Sequence, residues 1–168
     1  GRGVSAYQLG IPDDHVAFWL ADLLRMPNVD PYLATAYASI QFIESGVTTT
    51  QHSYYNPDPR TYESVLAKSV QAYADAGLCA VVRLGVLEKS PIAALCEELL
   101  PHLPVTLRKQ TRSFLDTRTT LPVDDYFAIY RDWQRAYGGT ETGRIIVQLG
   151  PVSTHWCSDA LLVRIRDE

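Results

Sequence analysis

The sequence is short of the features that mark most enzyme active sites. It has no Gly-rich phosphate loop, no Gly-x-Ser-x-Gly elbow and no His-Glu-x-x-His. It also lacks Cys-x-x-Cys and His-x-His pairs. These absences argue against P-loop, serine-hydrolase, zincin and thiol-redox chemistry carried within the chain itself. Cysteine is scarce: only Cys79, Cys96 and Cys157 occur, far apart and odd in number. Free, buried thiols in a reducing cytoplasm are therefore expected in place of a disulfide framework. No apolar run approaches the roughly 20 residues of a membrane helix, and no signal-peptide pattern stands at Gly1. Charge of one sign is not concentrated: 15 basic and 19 acidic residues are scattered, for a net charge of −4. A nucleic-acid partner is not expected without a basic face.

What the chain does have is apolar residues, 46% of its 168, enough for the core of one domain. Their order alternates helix and strand. Val16 to Arg25 reads as a short helix stopped by Pro27. Asp30-Pro31 opens a second helix, since Asp caps free amides and Pro fits the first turn. Leu33, Tyr37, Ile40, Phe42 and Ile43 form its expected apolar face, and Gly46 ends it. The β-branched run Val47 to His52 predicts a strand, and Ser53 to Pro59 a loop. A helix over Thr61 to Ala76 comes next, with Val65, Leu66, Ser69, Val70 and Tyr73 near one face and Gly77 as its stop. Cys79 to Val86 is almost continuously apolar, as a parallel strand covered on both faces would be. Pro91 to Leu100 predicts a short helix, Pro101 to Pro122 an irregular stretch, and Val123 to Tyr137 a helix containing Trp133 as core. Arg144 to Leu149 is a third strand. Ser158 is placed to cap a last helix, Asp159 to Asp167.

This alternation predicts an α/β fold with a parallel sheet and helical crossovers. Three strands are too few to close an eight-stranded barrel, and as an open sheet they leave two bare edges. With a start at Gly1 lacking Met and a last helix running to Glu168, the expectation is one incomplete barrel domain over residues 1–168.

In such a fold chemistry collects where strands end. That rule selects His52 to Asn56, Gly85 to Lys89, and Gly150 to Ser158. The candidate substrate-binding residues are Trp19, His52, Tyr54, Asn56, His155 and Trp156. The histidines could hydrogen-bond a substrate or carry a proton, and the indoles could stack on a planar ring. The competing readings are loop histidines bonded to backbone, and core aromatics. No second ligand stands two or four residues from either histidine, so metal ligation is the weaker reading for both. His15 and His102 read as solvated, and Asp13 or Asp14 as a helix cap.

Several stretches resemble a known family. Ile43-Glu44-Ser45-Gly46-Val47-Thr48-Thr49-Thr50 resembles the segment that opens the second barrel strand in the metal-dependent amidohydrolase superfamily. Ile146-Val147-Gln148-Leu149-Gly150-Pro151, with Cys157-Ser158-Asp159 and Leu161-Leu162, is similar to the fourth strand and following helix of its cytosine deaminase and triazine hydrolase branch. Gly1-Arg2-Gly3 resembles the segment directly after the family's first-strand His-x-His, and Phe18-Trp19-Leu20 its Trp-Leu element. The resemblance implies a partial (β/α)8 barrel, about strands two to four. It also implies hydrolysis of C–N bonds in a heterocyclic or amide-like small molecule. A divalent metal, zinc or iron, would sit in the parent enzyme, a homo-oligomer being compatible, while this fragment holds none and is inactive. The family's nucleoside deaminases carry His directly after the Gly-Pro, where this chain has Val152; that departure argues against a nucleoside substrate. The absence of Lys from Ile145 to Gly150 fits the mononuclear branch. The alternative from a different class is a small self-contained α/β ligand-binding module without catalysis.

Overall fold

The computed structural model describes residues 29–89, 96–116, 120–137 and 143–168. The expected helix over Val16 to Arg25, the capping role of Asp13 or Asp14, and Trp19 lie outside these residues, as does the start of the helix expected from Pro91.

Helix α1, Pro31–Glu44, starts as its sequence dictates: the Asp30 carboxylate accepts from the Tyr32 and Leu33 amides, with Pro31 at the first position. The Lys68 ammonium, 2.7 Å away, is the main cause that holds the Asp30 carboxyl below the usual carboxylate range. At the other end Gly46 takes φ +78°, and the Val47 amide folds back onto the Phe42 carbonyl. That contact uses up Val47 and explains why the first strand, β1, runs Thr49–Tyr54 and not Val47 to His52. Pairing with its neighbour then carries it through Ser53 and Tyr54, which were expected in a loop.

Helix α2, Tyr62–Ala76, ends at Gly77 in the left-handed region, φ +70°. Strand β2, Cys79–Val86, matches its expected span. The stretch from Pro101 to Pro122 is not irregular throughout: it contains helix α3, Val105–Asp116. Its Val105 and Leu107 are exposed, and the run Thr106 to Arg112 is mostly polar, which leaves no continuous apolar face to read in the sequence. The Arg108 guanidinium instead fastens it to the Pro101 and Leu103 carbonyls. Helix α4, Val123–Tyr137, buries Tyr126, Phe127, Ile129 and Trp133. Strand β3 spans Ile145–Pro151. Ser158 caps helix α5, Asp159–Asp167, by accepting from the Leu161 amide.

The sheet is parallel, in the order β1-β2-β3. Its two faces differ. His52, Tyr54, Ala80, Val82, Leu84, Val86, Ile145 and Val147 are buried and share one cluster or ring contact with Leu66, Val70 and Tyr73 of α2 and Tyr126 and Phe127 of α4. Side chains alternate across a strand, so both crossover helices cover the same face. On the opposite face Thr49, Gln51, Ser53, Ile146 and Gln148 are exposed.

Helix α1 corrects a second expectation. Of its expected apolar face, Leu33, Tyr37, Ile40 and Ile43 are 62%, 53%, 53% and 47% exposed, and only Phe42 packs against the core, partly buried. The helix packs through Thr35, Ala38 and Ser39 instead. Small side chains let α1 approach α2 closely, and the Thr35 hydroxyl reaches Ser69 at 3.3 Å. A single helix neighbour is covered best by the small residues, which leaves the larger apolar stripe outward. Among the described residues no helix is long and apolar enough to cross a membrane.

Candidate functional site

The ends of the three strands carry the loops, and three buried tyrosines fix where those loops start. Tyr126 Oη donates to the Leu84 carbonyl at 2.9 Å and accepts from the Gly150 amide at 3.1 Å, joining β2 to β3. Tyr62 Oη donates to the Gly85 carbonyl, and Tyr54 Oη to the Tyr62 carbonyl. Burial is the largest cause that pushes both the Tyr62 and Tyr126 phenols upward, Tyr126 to about 12. Both stay neutral donors at ordinary pH.

The loops after β2 and β3 are tied together. The Trp156 carbonyl accepts from the Glu88 and Lys89 amides at 3.0 and 2.9 Å. The Glu88 carboxylate accepts from the Ser158 amide at 2.6 Å, and Val152 donates to the Val86 carbonyl. Cys157 is buried beneath this junction, and that burial raises its thiol pKa, so it is not poised as a nucleophile. Cys79 and Cys96, also expected to be buried, are half-buried.

The expected site residues divide between two layers. His52 and Tyr54 face the helices: the His52 ring packs edge-on against Tyr54 and Tyr73 within the core. Asn56 builds its own loop, accepting from the Asp58 amide and donating to Thr61 Oγ1. It also borders a shallow depression at the strand ends with Tyr55, Gly85, Leu87 and Leu121. His155 is exposed, its Nδ1 3.5 Å from Ser153 Oγ, and Trp156 is half-buried beside it. His155 and Trp156 are thus neighbours, whereas His52 and Tyr54 point to the other side of the sheet. Trp19 lies outside the described residues. Trp133, expected in the core, is buried and stacks on Tyr137.

One residue of the site escaped the sequence reading. Arg83, in the middle of apolar β2, lies on the face away from the helices. Its guanidinium bridges the sheet: Nη2 donates to Ser53 Oγ on β1 at 3.1 Å, and Nη1 to the Pro151 carbonyl on β3 at 2.9 Å. Gly150 makes room for it. A Cβ at Gly150 would stand 2.4 Å from Arg83 Cδ, a distance no side chain tolerates. The signal was present, since Arg83 has the opposite alternation parity to the buried Val82 and Leu84.

Among the described residues no group of three or more His, Cys, Asp or Glu is placed to hold a metal ion. The described side chains do not fit a metal centre.

No protein-family model matches the chain, and no curated protein matches it. A solved structure does. The fold resembles part of a triazine hydrolase. That crystal structure, of a triazine hydrolase variant, superposes with a TM-score of 0.57 at 19% identity. The match covers 90% of this chain and 30% of that one, so the chain spans less than a third of the triazine hydrolase. At this identity the likeness concerns the fold.

Proposed function

We propose that this chain is a section of a (β/α)8 barrel belonging to a hydrolase of the amidohydrolase type. The observation that carries the reading is the one-sided sheet. A parallel sheet needs both faces covered. An open doubly wound sheet covers them with helices on both sides, whereas a barrel puts every helix outside and closes the other face on itself. Here α2 and α4 lie on the same face, and Val81 and Ile146 project from the other. The likeness to the triazine hydrolase supports the same reading. The outward stripe of α1 is then the surface a neighbouring helix of the barrel covers.

The substrate class we propose is a heterocyclic or amide-like small molecule cleaved at a C–N bond. Any divalent ion the parent enzyme uses is held by residues other than the described ones, and the 168-residue chain alone is catalytically inactive. Its part is pocket wall. Asn56, His155 and Trp156 stand at strand ends and suit that role. His52 and Tyr54 support the wall from the helix side. Partners other than the small-molecule substrate are not proposed, and neither nucleic acid nor membrane enters the reading.

The test is hydrolysis by the longer polypeptide that contains this chain. Amine or ammonia release from a panel of triazines, pyrimidines and aryl amides is expected, lost with chelator and restored by zinc or iron. A metal-loaded polypeptide that releases neither from any of them overturns the proposal.

A further inference from the structure

We infer that Arg83 and Ser53 form a subsite for a carboxylate on the substrate, an inference that rests on the barrel reading for its location inside the pocket. Arg83 sits at the level of Ser53 and Gln148 in the ladder, one row below Gly85 and Gly150, close to where the strands end. Among the strand residues of its face, Thr49, Gln51, Ser53, Cys79, Val81, Gly85, Ile146, Gln148 and Gly150 are all neutral. Arg83 is their single charge.

That charge has no counter-ion among the described residues. Among the described residues no carboxylate pairs with it, and its Nε is buried without a hydrogen-bond partner. A half-buried cation whose contacts are one hydroxyl and one carbonyl keeps much of its desolvation cost uncompensated, and an incoming anion removes that cost. The donors are also aimed in advance. Two strands hold the two Nη atoms, Gly150 leaves space for the stem, and the fork stays planar and fixed. Because Ser53 Oγ accepts from Nη2, its own proton is free to be donated onward. The second N–H of each Nη and the Ser53 hydroxyl together make a donor-only surface, which matches the two oxygens of a carboxylate.

The experiment compares benzoate with its neutral isostere benzamide by calorimetry on the longer polypeptide. Arg83→Gln and Ser53→Ala are the variants, and Arg83→Lys keeps the charge without the fork. Benzoate affinity is expected to fall about tenfold or more in Arg83→Gln, by the loss of one charge-assisted contact, and by less in Arg83→Lys. Benzamide affinity should be the same in all four proteins. Benzoate that fails to bind the parent, or binds Arg83→Gln as tightly, overturns the inference. So does an equal loss for benzoate and benzamide, which is the mark of a purely structural arginine. If Arg83→Gln does not fold, Arg83→Lys and Ser53→Ala carry the same comparison. The readout is binding, so it is separable from the hydrolase proposal: Arg83-dependent benzoate binding without any hydrolysis sinks that proposal alone.

Discussion

Replacing Tyr126 by Phe tests how the strand ends are held. The ring is fully buried, and its hydroxyl has two partners, the Leu84 carbonyl and the Gly150 amide. Phe keeps the ring packing against Phe127 and removes only the oxygen. The Gly150 amide then loses its acceptor, and Leu84 loses a donor, in a place water does not reach. A buried group left without its partner costs about 1–3 kcal/mol. With two groups affected and some local relaxation, Tyr126→Phe should destabilise by roughly 2–3 kcal/mol. Urea unfolding measured by tryptophan fluorescence reads this as a lower midpoint with an unchanged slope. The same change should loosen the Gly150-Pro151 end of β3 that Arg83 leans on. A loss below about 0.5 kcal/mol, the scale of an ordinary surface change, refutes the claim that this hydroxyl joins β2 to β3.

Alkali should also weaken the fold: an unfolded tyrosine ionises near 10, whereas burial holds Tyr126 up to about 12 and Tyr62 higher still. The folded form keeps its phenolic protons longer, so stability is intact below about pH 10 and falls as pH rises through 10 to 12, by roughly 3 kcal/mol for Tyr126 alone. Urea midpoints equal at about pH 8 and about pH 11 contradict this. Asp30→Ala removes the cap of α1 and should cost about 1 kcal/mol; thermal melting that leaves the transition unmoved shows that the first turn is held by something else.

Much of the fold was legible because it depends on local rules. Asp30-Pro31, Gly77 and Ser158 mark helix ends by backbone geometry and capping, and the structure uses each as expected. The apolar run of β2 pointed to a parallel strand directly. Where the structure departed from expectation, tertiary context decided. Val47 is β-branched but is consumed by the end of α1, and pairing with β2 pulled Tyr54 into the strand. The apolar stripe of α1 obeys helical periodicity, yet Thr35, Ala38 and Ser39 fit its neighbour more closely. Helix α3 opens on a mostly polar run, Thr106 to Arg112, that leaves little apolar pattern to read.

The site was less legible. Strand-end position selected His52 and Tyr54, but position along a strand does not say which face a side chain takes. A shift of one residue reverses it. Ser53, between them, is the residue on the open face. Arg83 is hard to place from sequence because a charge inside an apolar strand looks like an imperfection without its partners on β1 and β3.

The central claim is that the face carrying Arg83 and Ile146 becomes the inside of a closed barrel. Ile146, 48% exposed, reports on it directly. In the 168-residue chain Ile146→Cys should react with a thiol reagent at the rate of an open surface cysteine. In the longer, folded polypeptide the account predicts that the same cysteine reacts at least about a hundredfold more slowly, as burial in a packed interior requires. Equal reactivity in the two proteins contradicts the account.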